Sequence, residues 1–157
     1  MKTYTSRTTY VVSLLIILCI FTTKFTEAQV QGDELKNAIE SRNFAFTVTH
    51  ESGGDFARGN YYLHVINDSL SAGLPYSGRS RRADYTNDNN GIDVRTKDFT
   101  YQETPTKNGG YNIKISLNND KTTSSFSLRI NKRGFATLSA DCINRDSEVY
   151  SGVIQIL

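Results

Sequence analysis

Along most of the chain, hydrophobic positions alternate with polar ones, the period-two pattern of half-buried strands. It is cleanest where Tyr111, Ile113, Ile115 and Leu117 interleave with Asn112, Lys114 and Ser116. Phe126, Leu128 and Ile130 do the same against Ser127 and Arg129, and Phe44, Phe46 and Val48 against Ala45, Thr47 and Thr49. The pattern predicts strands over 44–51, 58–66, 99–103, 111–117, 125–130, 135–143 and 149–156. In 58–66 both faces are apolar, Tyr61, Leu63 and Val65 on one and Tyr62, His64 and Ile66 on the other. That fits a central strand, or one covered on its second side by a helix.

Residues 33–42 have a different period. Leu35, Ala38 and Ile39 form one apolar helical stripe, Lys36 and Glu40 are an i,i+4 pair, and Gly32 or Asp33 can cap the start. A helix this short is marginal alone, so it is expected to dock on the sheet through its stripe. Turn signals space the strands: Ser52-Gly53-Gly54-Asp55, Asn87 to an Asn-Gly at Gly91, a two-residue Asn108-Gly109, a polar loop from Asn118, and Asn131 to a left-handed Gly134. Loops this short join antiparallel neighbours, because a parallel crossover needs about a dozen residues or more. The expected architecture is mainly β (α+β): a curved antiparallel sheet, small sandwich or open barrel with one N-terminal helix.

The first 28 residues read as a secretory signal, with Lys2 and Arg7 ahead of an apolar run over 10–21 and a small-residue cleavage site at Thr26-Glu27-Ala28. The run falls short of the roughly twenty residues that span a bilayer. Leu18 is too large to precede a lipid-modified Cys19, so export in soluble form, to the periplasm or beyond, is expected over lipid anchoring. Residues 29–157 then make one domain, with no transmembrane segment. Three of the 18 basic and one of the 16 acidic residues lie in the leader, so the domain keeps fifteen of each and is formally neutral. Overall charge therefore supplies no attraction to nucleic acid or anionic membrane. Cys142 alone remains after cleavage, so no internal disulfide forms; alternation with Ala136, Leu138 and Ala140 makes it a small buried hydrophobe.

No catalytic or nucleotide-binding signature is present, and neither catalysis nor a cofactor is expected. His50 and His64 on adjacent predicted strands, with Glu51 or Asp55, lack a clear third metal ligand. Residues 86–93, TNDNNGID, mimic a calcium loop but place Thr86 where the first carboxylate belongs and Lys97 where the closing glutamate belongs. The densest candidate stretch is 74–85. Pro75 and the flanking Gly73 and Gly78 shape a turn around Tyr76, and Arg79, Arg81 and Arg82 beside Tyr85 offer guanidinium forks suited to carboxylate or phosphate. The last hairpin adds Arg145 and Tyr150, together with Asp141, Asp146 and Glu148. The expected ligand-binding set is therefore Tyr76, Arg79, Arg81, Arg82, Tyr85, Arg145 and Tyr150.

Seven short motifs occur in one order: Gly59 onward as G-x-Y-x-L-x-V-x-x-D-S, Leu74 onward as L-P-Y-x-G-R, then Gly91-Ile92. They continue with Lys107 onward as K-x-G-x-Y-x-I-x-I, Phe126 onward as F-x-L-x-I-x-x-x-G-x-A-x-L, Asn144-Arg145, and Tyr150 onward as Y-x-G-x-I. Together they resemble the exported Bacteroidota family known as domain of unknown function 4251, over nearly all of the mature chain. The resemblance implies residence in a Gram-negative envelope or periplasm and no assigned activity. Many relatives look like lipoproteins, from which Leu18 departs.

Three functions compete. The leading expectation is a non-catalytic envelope domain that binds a small ligand or an envelope protein between 74–85 and the last hairpin. An inhibitor-like or structural module would instead use a sheet edge or an outer face bearing Phe135, Thr137 and Ser139, marked by an exposed apolar patch. A hydrolase would need carboxylates such as Asp84 and Asp141 at about 5 to 9 Å in a cleft.

Overall fold

The computed structural model describes residues 32–51, 57–76, 91–143 and 145–157. In chain order the elements are α1 (Asp33–Glu40), β1 (Asn43–His50), β2 (Tyr62–Ile66), β3 (Ser69–Leu74), β4 (Ile92–Thr96), β5 (Phe99–Pro105), β6 (Tyr111–Leu117), β7 (Thr123–Ile130), β8 (Phe135–Cys142) and β9 (Glu148–Ile156). Among the described residues every pairing is antiparallel, in one nine-stranded sheet ordered β4-β3-β2-β1-β9-β8-β7-β6-β5.

The two edge strands of that order, β4 and β5, are consecutive in sequence and joined only by Lys97 and Asp98. So short a link reaches at most roughly 11 Å, so the sheet has to curl until its edges meet. The result is a nearly closed, barrel-like sheet. Its register climbs by roughly ten residues around the circuit, the stagger that tilted barrel strands require. Lys97 contacts Asp68 in the β2–β3 turn at 3.7 Å, and the Asp98 carboxylate accepts from the side chains of Asn118, at 2.6 Å, and Asn119 in the β6–β7 loop. The seam is thus held on both sides.

Alternation sends Phe44, Phe46, Leu63, Phe126, Leu138 and Tyr150 inward, and all are buried. α1 covers one mouth with Leu35, Ala38 and Ile39. Each large aliphatic side chain buried this way stabilises by about 1.5 to 3 kcal/mol, enough to hold a helix too short to persist alone. The Tyr101 hydroxyl on β5 donates to the Ile39 carbonyl at 3.2 Å, and the Arg42 guanidinium lies 4.8 Å from the centre of the Tyr101 ring. Burial first, then neighbouring Glu103, keeps this phenol protonated well above its ordinary range, so it remains a donor. The expected pair Lys36–Glu40 forms at 3.9 Å.

Several local expectations need correction. The helix ends at Glu40 rather than Arg42, which takes a left-handed φ of 54° as the chain turns into β1. The second strand begins at Tyr62 rather than Arg58. It is an interior strand of the sheet, as its two apolar faces suggested, with Tyr62 and His64 packed on one another, ring centroids 4.4 Å apart. Strands β3 and β4 are additional to those expected. The Asn108-Gly109 turn is longer than two residues, closed from Thr106 to Gly110 with Gly109 at φ 75°. The Asn131–Gly134 turn has the expected form, with Gly134 at φ 79°. Cys142 is half-buried rather than fully so.

Candidate functional site

Two places combine polar side chains with shape. The first lies at the mouth opposite α1. There the register carries Pro75, after β3, and Tyr150, near the start of β9, past the ends of the two strands between them, β2 and β1. Across that gap the Tyr150 hydroxyl donates to the Pro75 carbonyl. In the opposite sense, the Tyr76 hydroxyl donates to the Asp146 carbonyl at 3.2 Å, and the Arg145 guanidinium lies 5.0 Å from the centre of the Tyr76 ring. The two tyrosines thereby stitch β3 to the start of β9 in reciprocal fashion. Tyr150 is 1% exposed, Glu148 4% and Arg145 8%, so charged groups of opposite sign sit inside this closure.

The electrostatics there oppose ionisation. Burial raises the phenol pKa of Tyr150, and Glu148 and Cys142 add to it; burial also raises that of Tyr76. The Cys142 thiol is pushed up by burial, with Arg145 pulling the other way and Glu148 reinforcing the rise. A thiol so placed stays protonated at neutral pH and is a weak nucleophile. Asp141 accepts from Ser125 Oγ at 2.8 Å and Ser147 Oγ at 3.1 Å, tying β7 to the last turn.

Of the residues singled out in the sequence, Tyr76, Arg145 and Tyr150 thus come together here. Arg79, Arg81, Arg82 and Tyr85 fall outside the described residues, as do Asp84 and most of the calcium-like stretch. His50 and His64 are separated along the sheet, since His64 stands opposite Ala45 and His50 opposite Ser151. Among the described residues no three His, Cys, Asp or Glu side chains cluster as a metal site. No helix among them is long and apolar enough to cross a membrane.

The second place is on the outer face. Register aligns Thr104, Asn112, Arg129, Thr137, Ser151 and His50 in one row across β5, β6, β7, β8, β9 and β1. At a strand spacing of about 4.8 Å that row runs roughly 24 Å. An open trough of about 1120 Å³ follows most of it, walled by the β5–β6 and β7–β8 turns. A smaller depression of about 530 Å³ shares Asn112, Arg129 and Thr137 with it and continues to Lys114 and Ser139.

The β7–β8 turn aims the wall. Asn131 Oδ1 accepts from the N–H groups of Arg133 at 2.8 Å and Phe135 at 3.2 Å, and the Gly134 carbonyl accepts from Ile154 N–H at 2.8 Å. Lys132, Arg133 and Phe135 are therefore carried on a fixed backbone, with Phe135 46% exposed. The floor beneath is equally tight: a Cβ at Gly152 would overlap the Thr47 carbonyl and the Phe46 ring, so only glycine lets β9 lie so close to β1. Phe135 and Thr137 stand out in the sequence; Arg129, Lys132 and Arg133 do not. Their signal is nonetheless there, because between Glu103 and Asp141 the only acid, Asp120, stands among six lysines and arginines.

No curated protein matches the chain. It is similar in fold to the crystal structure of a DUF4251 family protein from Bacteroides eggerthii DSM 20697, with a TM-score of 0.58 at 15% identity, covering 79% of this chain and 86% of that one. The family model described as domain of unknown function (DUF4251) matches residues 26–154, and the chain belongs to that family.

Proposed function

We propose that the chain is an exported, non-catalytic binding domain whose ligand lies in the outer trough rather than at the tyrosine closure. The observation that carries this reading is the trough itself: an exposed Phe135 beside a polar row fixed by sheet register. A concave surface with one aromatic wall and several hydrogen-bonding groups orients a ligand without needing a reactive centre. At the closure, by contrast, the Tyr76 and Tyr150 hydroxyls are bonded to backbone carbonyls, and the nearby thiol and phenols are shifted away from ionisation. The leader supports placement in the envelope or periplasm.

The test is amide chemical-shift mapping of residues 29–157 against saccharide, peptide and lipid probes, with a parallel assay for probe turnover. Shifts are expected to cluster at Asn112, Arg129, Thr137 and Ser151, with every probe recovered intact. Shifts centred on Tyr76 and Arg145 would move the site to the closure. Turnover that survives rigorous repurification would end the non-catalytic reading.

A further inference from the structure

Taking the trough as the binding site, a step that rests on the reading above, we infer that its ligand is an acidic polysaccharide. Carboxylate or sulfate groups would be held by Arg129, Lys132 and Arg133, and sugar hydroxyls by the polar row.

Charge placement carries the first part. The trough and its smaller continuation are lined by Arg129, Lys132, Arg133 and Lys114, with no acidic residue among the described residues that line either. None of these four forms an ion pair among the described residues, whereas Lys36, Arg95 and Lys97 are each paired with a carboxylate. The domain from residue 29 onward is formally neutral, so this run of cations is a local excess and not a reflection of net charge. Like-signed, unpaired cations along a concave surface focus a positive potential and repel one another until an anion arrives. Guanidinium forks match carboxylate and sulfate oxygens geometrically.

The chemistry between the cations carries the second part. Thr104, Asn112, Thr137 and Ser151 place donors and acceptors on both sides of Arg129 along roughly 19 Å, four strand spacings. That suits an extended chain bearing hydroxyls along its length. Phe135 offers one flat apolar face, suited to the C–H face of a sugar ring. An acidic peptide fits less well: strands β6, β7, β8 and β9 are paired on both sides, so no backbone is left for a peptide to extend as a strand. An anionic membrane fits less well too, because among the described residues Phe135 and Val149 alone are exposed large hydrophobics lining this track.

The experiment is calorimetric titration of residues 29–157 with oligogalacturonate, which carries one carboxylate per sugar. Comparison probes are a neutral oligosaccharide of equal length, polyglutamate, and phosphatidylglycerol vesicles. The expected result is preference for oligogalacturonate, with affinity falling about tenfold as salt is raised to screen the trough. Joint Arg129→Ala and Arg133→Ala substitution should weaken binding by about tenfold or more. Lys132→Arg should preserve it, and Arg95→Ala, on a distant strand, should leave it unchanged. Urea unfolding of each variant confirms that the fold is intact.

Equal or better binding of polyglutamate or vesicles overturns the polysaccharide assignment, as does insensitivity to salt and to the arginine substitutions. Binding of the neutral oligosaccharide that Phe135→Ala abolishes overturns the acidic class but keeps the trough. No binding by any of the four probes, with no shifts along the trough, overturns both readings.

Discussion

The tyrosine closure and the outer trough are both rich in polar groups, and they treat them in opposite ways. At the closure, Arg145 and Glu148 are buried, and the Tyr76 and Tyr150 hydroxyls are satisfied by backbone carbonyls across the mouth. In the trough, Arg129, Lys132 and Arg133 stand exposed, without ion pairs among the described residues. A buried polar group left unpaired costs about 1 to 3 kcal/mol, so a closure of this kind has to be complete within the protein. Exposed cations are hydrated by water, carry no such obligation, and can exchange that water for a ligand. The closure therefore reads as architecture and the trough as recognition. Substitutions should separate the two, with large stability effects in one region and near-zero effects in the other.

The largest expected effect is at Tyr150. Tyr150→Ala removes a ring that is 1% exposed from the core and deletes the link to Pro75, and should destabilise the domain by about 4 kcal/mol. Tyr150→Phe keeps the ring and deletes only the hydroxyl, leaving the Pro75 carbonyl without that donor, and should cost about 1 to 2 kcal/mol. Both are read as shifts in the urea midpoint at constant slope. If Tyr150→Phe is neutral while it abolishes ligand binding, the assignment of the two regions is reversed.

How much of this was legible in the sequence follows from which interactions are local. Strands β6 and β7 announce themselves, because Ile113, Ile115, Phe126 and Leu128 alternate strictly with polar residues and all four are buried. Strand β3, SLSAGL, hides because serine, alanine and glycine resemble turn material; only its pairing with β2 and β4 makes Leu70, Ala72 and Leu74 core. Strand β4 is short and carries Asp93 and Arg95 outward, so little of it looks apolar. With these two strands unseen, a link as short as Lys97-Asp98 gave no hint that it joins opposite edges of the sheet. The trough is a product of register: Asn112, Arg129, Thr137 and Ser151 are far apart in sequence and adjacent only through the ladder. The closure drew attention because Tyr76 sits by a proline turn, yet nothing local says that its hydroxyl reaches Asp146.

An intermediate effect should come from Asp120, the one acid in the otherwise basic stretch that builds the trough. Its carboxylate turns into its own loop, accepting from Thr123 N–H at 2.7 Å and from Thr122 N–H and Thr122 Oγ at 2.8 Å each. Burial works to raise its pKa, but these bonds to the ionised form prevail and hold it below the ordinary value. A carboxyl whose pKa is depressed by folding stabilises fully above its unfolded value of about 3.9, and the benefit is lost as pH falls through the folded value. Asp120→Ala should therefore cost about 1 to 2 kcal/mol near neutral pH, as loss of a cap does, and progressively less in acid. Urea midpoints at neutral pH and in acid test this. A cost that is independent of pH would mean that the loop holds its shape without the charge.

The smallest stability effect is expected at the trough cations, and its sign is the sharper prediction. Arg129 is an exposed outer-face residue on β7, opposite Asn112 on one side and Thr137 on the other, so removing it breaks no ion pair among the described residues. Surface substitutions of this kind usually lie within about 0.5 kcal/mol of zero. Because Lys132 and Arg133 border the same trough, relief of like-charge repulsion should make Arg129→Ala slightly stabilising at low ionic strength. The gain should fade as added salt shortens the screening length from about 30 Å at 0.01 M toward about 3 Å at 1 M. A urea midpoint that rises in low salt and converges with the parent in high salt would show cations held together against their own repulsion, as a site kept ready for an anion requires. A midpoint that falls at every salt concentration would make Arg129 a structural residue, and the trough would lose its contrast with the closure.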